Sequence, residues 1–374
     1  MTHSKTGIEA EILKRISEKG RITFAEFMDA ALYWPERGYY TAGRSRWGAG
    51  GDYITNTDIS PVFSRLMAKC VHEMWTLLGS PAVFTLIEAG SGRGLLTEGI
   101  LDAAESLYPG MSRAVRVRLV EKNRFLRKPA AARISWHENI EGLQPVEAGC
   151  ILSNELIDSF PVHRVVCSGG FKELYVGHDG TRFIEEPGAP SCPELKAHFD
   201  SLGITLTEGV ITEVNLKAKE WIRKAGSLIN KGFVATIDYG LPARELYSRE
   251  IGSTIACHFR HTINHNPYIN IGMQDITAHV DFTTLAAKGE KAGLKLTGFT
   301  TQKNFLLGLG ILEELKPSEN AGLENRQKIS HNRELVQLIT PGGAGDAFKV
   351  LVQHKGIQKP ELKGLSFKDL SSRL

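Results

Sequence analysis

The sequence lacks any apolar run of 18 or more residues, contains few cysteines, and carries almost no excess charge of either sign. The first absence predicts no membrane-spanning helix, because such a helix needs about 20 mainly apolar residues. The net charge of +3, with acids and bases interspersed, favours no nucleic-acid partner. The composition, 42% hydrophobic and 23% charged, predicts an ordinary globular protein with a sizeable core.

The five cysteines are scattered, odd in number and form no CxxC pair. This usage favours free thiols in a reducing compartment. The first 20 residues are polar and include Glu9 and Glu11, so they resemble neither a signal peptide nor a transit peptide. The sequence therefore predicts a cytoplasmic location.

Three histidines close together suggest a metal site at first. They are His258, His261 and His265, and they follow Cys257. Asn266-Pro267 and the lack of a nearby pair of carboxylates favour a loop instead. We therefore predict no metal, and a structural or substrate-lining role for the histidines.

After the N-terminal segment, strands alternate with helices along the chain. This pattern predicts a mostly parallel, doubly wound α/β sheet. The predicted strands are 83–87, 114–120, a short one near 134, 150–153, 232–237 and 347–353. The predicted helices are 95–107, 123–132, 282–292, 303–315 and 322–339.

Two further segments lie outside this alternation. The N-terminal extension has helices at 7–19 and 23–32, an aromatic, glycine-rich loop at 33–53, and a helix that begins at Pro61. Short strands at 162–166, 172–176 and 181–184 predict an inserted β meander. We expect an N-terminal segment over 1–80 and an α/β domain over 81–374, with the insertion at about 161–230.

A glycine-rich turn follows the first predicted strand of the sheet. Its residues are Glu88, Ala89, Gly90, Ser91, Gly92, Arg93 and Gly94. Glycines at such a turn allow a sharp bend and a close approach of the backbone to a ligand. The GxGxG spacing after an acid is more typical of S-adenosylmethionine (SAM) methyltransferases than of dehydrogenases. Alone, however, the turn is also compatible with a purely structural link between strand and helix.

An acidic residue, Glu121, ends the second strand of the sheet. A carboxylate at this position can accept hydrogen bonds from the ribose hydroxyls of an adenosine. It could also be a solvated acid, but together with the glycine turn it strengthens the prediction of an adenosine-bearing cofactor.

Polar residues follow the predicted strand 150–153 as well: Asn154, Glu155 and Asp158. Ligands of open α/β sheets bind beyond the carboxyl ends of the strands, so these residues should face the reactive group of the cofactor. Two carboxylates three residues apart could hold a guanidinium in line with a methyl group. A helix cap is the alternative for Asp158.

Several segments, in one order, resemble a known family. They are 33–40 (YWPERGYY), 51–56 (GDYITN), 59–63 (ISPVF), 88–94 (EAGSGRG), 153–162 (SNELIDSFPV), 237–240 (IDYG) and 275–282 (DITAHVDF). On these residues the chain is similar to the MidA-like SAM-dependent methyltransferases, relatives of the mitochondrial complex I assembly methyltransferase. The resemblance covers roughly residues 20–310.

This resemblance implies a class I methyltransferase fold, SAM as the cofactor, and methylation of a protein arginine, with a subunit of respiratory complex I as a possible acceptor. It implies that Gly90, Gly92 and Gly94, with Glu88 and Ser91 around them, form the cofactor loop. It also implies that Glu121 contacts the ribose and that Thr55 lies in a lid over the cofactor, residues 55–60. Asn154 is expected to contact both cofactor and acceptor, beside Glu155 and Asp158.

Two other functions stay open at the level of sequence. A nicotinamide-dependent oxidoreductase could share the sheet, although the third glycine is misplaced for it and no residues suited to hydride transfer are evident. A non-catalytic assembly factor could retain the cofactor fold while it binds a partner protein.

Overall fold

The computed structural model describes residues 7–43, 60–316 and 323–374. Thr55 and the predicted lid, apart from Ser60, lie outside these residues, as does the second part of the aromatic loop.

The described helices are largely short and amphipathic. They are α1 (Gly7–Lys19), α2 (Phe24–Tyr33), α3 (Pro61–Leu77), α4 (Leu95–Leu107), α5 (Pro109–Ala114), α6 (Pro193–Leu202), α7 (Leu216–Leu228), α8 (Ala243–Leu246), α9 (Phe282–Lys291), α10 (Gln302–Leu309), α11 (Leu323–Ile339), α12 (Ala344–Ala347) and α13 (Lys363–Ser366), with 3₁₀ turns at Ile311–Glu314 and Ser371–Arg373.

The strands belong to three sheets. They are β1 (Ile22–Thr23), β2 (Phe84–Ala89), β3 (Val115–Val120), β4 (Ile134–His137), β5 (Val146–Asn154), β6 (His163–Cys167), β7 (Phe171–His178), β8 (Phe183–Gly188), β9 (Ile211–Val214), β10 (Ile229–Leu241), β11 (Ala256–Phe259), β12 (Thr262–Asn264), β13 (Asp275–Thr277), β14 (Val280–Asp281), β15 (Lys295–Thr301) and β16 (Phe348–Lys355).

The chain forms two compact units, each discontinuous in sequence. The meander unit comprises Met1–Tyr53, Ile157–Trp221 and Leu241–Leu285, and the sheet unit comprises Ile54–Leu156, Ile222–Gly240 and Ala286–Leu374. The predicted boundary near residue 80 does not separate these units. Helices α1 and α2 belong with the strands of the predicted insertion, whereas α3 belongs with the main sheet.

The sheet unit is built on strands in the order β15-β16-β10-β5-β2-β3-β4. The five strands from β10 to β4 are mutually parallel, and β16 runs antiparallel to both of its neighbours. This arrangement confirms the predicted α/β fold with a mostly parallel sheet. Strand β2 lies inside the sheet and all six of its residues are buried, as its apolar composition predicts.

Helix α3 covers the sheet with one apolar face. Ser60 caps its N-terminus, its hydroxyl accepting from the Val62 N–H at 3.3 Å, and Pro61 takes the first helical position as predicted. Phe63 and Met67 of this helix are fully buried in one cluster with Phe84 of β2. Burial of these apolar side chains, rather than helix propensity, holds α3 against β2.

The meander unit holds the antiparallel sheets. Its larger sheet has the order β1-β7-β6-β9, with β8 on β7, and this confirms the predicted meander. At the start of α2 the predicted capping box is present: the Thr23 hydroxyl accepts from the Glu26 N–H at 3.1 Å, and the Glu26 carboxylate accepts from the Thr23 N–H at 2.9 Å.

The predicted helix over 123–132 is wrong. The Asn123 side chain accepts a hydrogen bond from the Phe125 N–H at 3.0 Å, and the segment continues as turns up to β4. An asparagine that bonds the backbone two residues on competes with helix formation, and Pro129 would interrupt a helix in any case.

His258 and His261 lie in a hairpin of the meander unit rather than in the predicted loop, whereas His265 follows the hairpin in irregular chain. His258 is in β11, and His261 occupies the tight turn before β12 with φ of 59°. The ring of His265 bonds the Ile255 carbonyl through Nδ1 at 2.8 Å. Within the residues that the structure describes, no three His, Cys, Asp or Glu side chains form a group that could hold a metal.

We predict that Gly149→Ala destabilises the sheet unit. A Cβ at this position would lie 2.3 Å from the Thr85 carbonyl oxygen of the neighbouring strand, so the paired strands must separate. Overpacking of this kind should lower the free energy of unfolding by about 1–3 kcal/mol. Urea unfolding measures it, with Gly142→Ala as the control, because a Cβ there meets no atom closer than 3.7 Å. Equal stability of the two variants would contradict the tight packing.

Candidate active site

The glycine loop between β2 and α4 has the backbone conformation that glycine adopts most readily. Gly90, Gly92 and Gly94 have φ of 70°, 52° and 80°. Gly94 is also the N-cap of α4, and as a glycine it has no side chain with which to cap the helix itself. A loop of this shape, leading into a helix N-terminus, brings backbone N–H groups close to a ligand without an intervening Cβ.

The loop is held against its surroundings by specific contacts. The Gly90 and Ser91 N–H groups donate to the Val120 carbonyl oxygen at 2.9 and 3.1 Å, and the Ser91 hydroxyl lies 3.5 Å from the same oxygen. A Cβ at Gly90 would lie 2.8 Å from Cδ1 of Leu156. The loop therefore packs against the end of β3 and the segment that follows β5.

Glu121 lies beside this loop at the end of β3. Its Oε2 accepts from the Gly92 N–H at 2.9 Å, and its Oε1 accepts from the Asn123 N–H at 2.7 Å. These bonds fix the carboxylate at the strand end from which Rossmann-type folds bind a ribose. The two halves of the predicted cofactor site are thus in direct contact.

Glu88, the last acid before the loop, is buried and bonded within the protein. Its Oε2 accepts from the Thr97 N–H at 3.2 Å and from the Thr97 hydroxyl, which ties β2 to the first turn of α4. Burial raises the pKa of Glu88 to about 7, although the bonds from Thr97 favour the charged form. Its carboxylate holds both ends of the glycine loop, and direct contact with a cofactor stays a prediction.

Asn154 is the last residue of β5, the strand next to β2, and Glu155 follows it directly. The Glu155 N–H donates to the Ile237 carbonyl at 3.0 Å, and Asn154 Nδ2 donates to Glu155 Oε1 at 3.0 Å. Glu155 has φ of 54°, a left-handed conformation that costs a residue with a Cβ about 1–2 kcal/mol. Such strain is characteristic of functional sites, where the surrounding structure enforces it.

The sheet unit therefore brings most of the predicted site residues to one edge, the carboxyl ends of β2, β3 and β5. They are Glu88, Gly90, Ser91, Gly92, Gly94, Glu121, Asn154 and Glu155. Left-handed glycines, a helix N-terminus and two strand-end carboxylates fit a cofactor that joins an amino-acid group to an adenosine.

Two predicted residues are not part of this group. Asp158 belongs to the meander unit, where it is buried and its carbonyl accepts from the Ala278 N–H at 2.9 Å. Thr55 lies outside the described residues.

Asp238 is a residue of this edge to which the sequence assigned no role. It is fully buried near the end of β10, and its Oδ2 accepts from the Leu156 N–H at 3.2 Å. The sequence signal that could have found it is its position, because it is an acid near the end of a fourth strand that reaches the same edge.

Curated relatives share most of their length with this chain. The "Protein arginine methyltransferase NDUFAF7 homolog, mitochondrial" of Drosophila melanogaster is 26% identical over 93% of this chain and 84% of its own length. The human "Protein arginine methyltransferase NDUFAF7, mitochondrial" is 27% identical over 93% of this chain and 83% of its own.

A solved structure matches the whole fold. A crystal structure of a protein from Burkholderia thailandensis bound to S-adenosyl-homocysteine aligns with a TM-score of 0.87 and 29% identity, over 98% of this chain and 96% of that one. The bound molecule is SAM without its methyl group.

The relatives contradict the predicted cytoplasmic location, because their names place them in mitochondria. Scattered free cysteines do not distinguish the two compartments, which is why composition led to the wrong prediction. Separately, no helix within the described parts of the chain combines the length and the apolar character needed to cross a membrane.

We predict that Glu88 makes stability depend on pH. In the folded chain Glu88 keeps its proton up to about pH 7, whereas in the unfolded chain it loses this proton near its ordinary pKa of 4.5. The free energy of unfolding should therefore fall as the pH rises from 4.5 to 7. The loss is about 3 kcal/mol at most. Glu88→Gln should remove this fall, which urea unfolding at pH 5 and pH 8 measures. The same fall in both chains would contradict the assignment.

We also predict that Gly92→Val abolishes SAM binding while the chain still folds. A branched side chain at φ of 52° is strained, and we expect it to obstruct the approach of the cofactor to the loop. Calorimetric titration with SAM checks this. Gly79→Val is the matched control, since Gly79 has φ of 89° and open space around it. Unchanged affinity in the Gly92 variant would mean that the site is elsewhere.

The family match completes these observations. Residues 66–300, well over half of the chain, match the family described as "Putative S-adenosyl-L-methionine-dependent methyltransferase". This range contains the glycine loop, Glu121, Glu155 and Asp238. The chain accordingly belongs to this family of S-adenosyl-L-methionine-dependent methyltransferases, and SAM is its cofactor.

Proposed function

We propose that this methyltransferase acts on a guanidinium nitrogen of an arginine in a protein. The observation that carries the proposal is Glu155, a half-buried carboxylate held in a strained conformation beside the glycine loop. The proposal is supported by relatives that are named protein arginine methyltransferases and that align with more than 90% of this chain.

The glycine loop and Glu121 hold the cofactor in this proposal. The glycines of the loop leave room for its amino-acid end beside the N-terminus of α4, and the carboxylate of Glu121 binds the ribose hydroxyls. SAM supplies a methyl group on a sulfonium, an electrophile that needs no acid catalyst. The protein therefore has to align the acceptor and exclude water.

Glu155 aligns the acceptor. A guanidinium is a weak nucleophile because its charge is spread over three nitrogens. A carboxylate that accepts from two of these nitrogens draws the charge toward them and leaves the third better able to attack. The new bond joins that nitrogen to the methyl carbon, the bond from carbon to sulfur breaks, and the nitrogen loses one proton to solvent.

Asn154 supports Glu155 in the proposed acceptor site. Asn154 donates to Glu155 Oε1 at 3.0 Å, which limits the rotation of that carboxylate. Asp158 is proposed as a second carboxylate for the guanidinium on the basis of the sequence, three residues after Glu155. A subunit of respiratory complex I as the acceptor follows from the resemblance alone and stays a prediction.

We predict that Glu155→Gln lowers the rate of arginine methylation about 10- to 100-fold while the affinity for SAM stays within a factor of about three. An amide keeps the shape but loses charge-assisted bonds worth about 1.5–3 kcal/mol each. The measurement is transfer of labelled methyl from SAM to a protein extract, followed by amino-acid analysis for methylarginine.

Glu147→Gln is the matched control, because Glu147 is an exposed acid on the same strand that accepts from Asn230. Full activity in the Glu155 variant would contradict the proposed alignment. SAM binding without any methylarginine would favour the non-catalytic assembly factor.

A further inference from the structure

Asp238 has contacts that reach beyond its own strand. It lies near the end of β10, is 0% exposed, and each of its carboxylate oxygens accepts from a backbone N–H. Oδ1 accepts from Tyr239 at 2.9 Å, and Oδ2 accepts from Leu156 at 3.2 Å. The second bond joins residues 82 positions apart, immediately after the strained Glu155.

Leu156 continues this connection to the cofactor loop. Its side chain fills the space beside Gly90, where a Cβ would come within 2.8 Å of Cδ1. The backbone of Glu155, one residue earlier, is bonded to the Ile237 carbonyl, one residue before Asp238. The ends of three neighbouring strands, β10, β5 and β2, are thus joined through the turn formed by residues 154–156.

We propose that Asp238 is a positioning residue for methyl transfer, which holds the Asn154–Leu156 turn in register with the glycine loop so that Glu155 faces the transferred methyl group. The inference rests on the proposed function, in which Glu155 binds the acceptor.

The need for such a residue follows from the backbone of Glu155. A left-handed conformation persists in a residue with a Cβ only when neighbouring bonds enforce it. The N–H of Glu155 is fixed because it donates to the Ile237 carbonyl, and the N–H of Leu156 is fixed because it donates to Asp238. Without the second bond the turn can relax, and displacement of about 1 Å is enough to disrupt an in-line transfer.

A binding experiment tests this without any methyl acceptor. It compares S-adenosylhomocysteine, which has neither the methyl group nor a charge on sulfur, with sinefungin, in which a carbon bearing an amine replaces the methylated sulfur. A carboxylate that faces the methyl position should favour the cationic amine. The measured quantity is the ratio of the two dissociation constants for the full chain.

We expect Asp238→Asn to lower the preference for sinefungin at least fivefold while the affinity for S-adenosylhomocysteine changes less than threefold. Asparagine can accept only one of the two N–H groups and presents its own N–H₂ to the other. Thr236→Val is the matched control, because Thr236 is buried on the same strand and its hydroxyl accepts from Ser153 at 3.4 Å, a residue outside the turn. It should lower stability without changing the preference.

Measurement of the same ratio for Glu155→Gln distinguishes the positioning role of Asp238 from the proposed role of Glu155. If Glu155→Gln lowers the preference but Asp238→Asn does not, the positioning role is overturned while the proposed role of Glu155 stands. If it has no effect, the proposed role of Glu155 fails, and so does the inference that Asp238 acts through it. Should Asp238→Asn not fold, Leu156→Ala tests the same connection at its contact with Gly90, and an unchanged preference there overturns the proposal.

Discussion

The structure of the site depends on one constraint: parallel strands end at the same edge, and their ends must fit together without side chains in the way. β2 and β3 are paired up to Ala89 and Val120, and the N–H groups of Gly90 and Ser91 continue this contact by donating to the Val120 carbonyl. The end of β5 fits beside them because Leu156 occupies the space that a Cβ on Gly90 would take. Backbone hydrogen bonds and the absence of Cβ atoms, rather than any single catalytic group, give this edge the form that the proposed cofactor site requires.

The acidic residues at this edge differ in how deeply they are buried, and their contacts differ accordingly. Glu88 lies under the loop, where burial raises its pKa to about 7 and its bonds to Thr97 serve the fold. Glu121 and Glu155 are half-buried at strand ends, where carboxylates can meet a ligand. Asp238 is fully buried yet bonded to two backbone N–H groups, as a carboxylate that orients a turn must be.

The sequence predicted those parts of the site that depend on local pattern. The apolar run before Glu88, the GxGxG turn and the acid after β3 each produce their structure within a few residues. The helix over 123–132 failed because the side-chain bond of Asn123 to Phe125 outweighs a helical composition. Asp238 and the division into two units depend on contacts between residues far apart in sequence, which no local pattern reports. The compartment was wrong because composition carries little information about it.

The most direct test of the account is calorimetric titration of the full chain with SAM, with NAD as the control ligand. The account predicts micromolar binding of SAM with a stoichiometry of one, and no binding of NAD, because the glycine spacing and Glu121 suit a single adenosine with an amino-acid arm. Binding of NAD, or failure to bind SAM, would contradict the assignment of this sheet edge as the cofactor site.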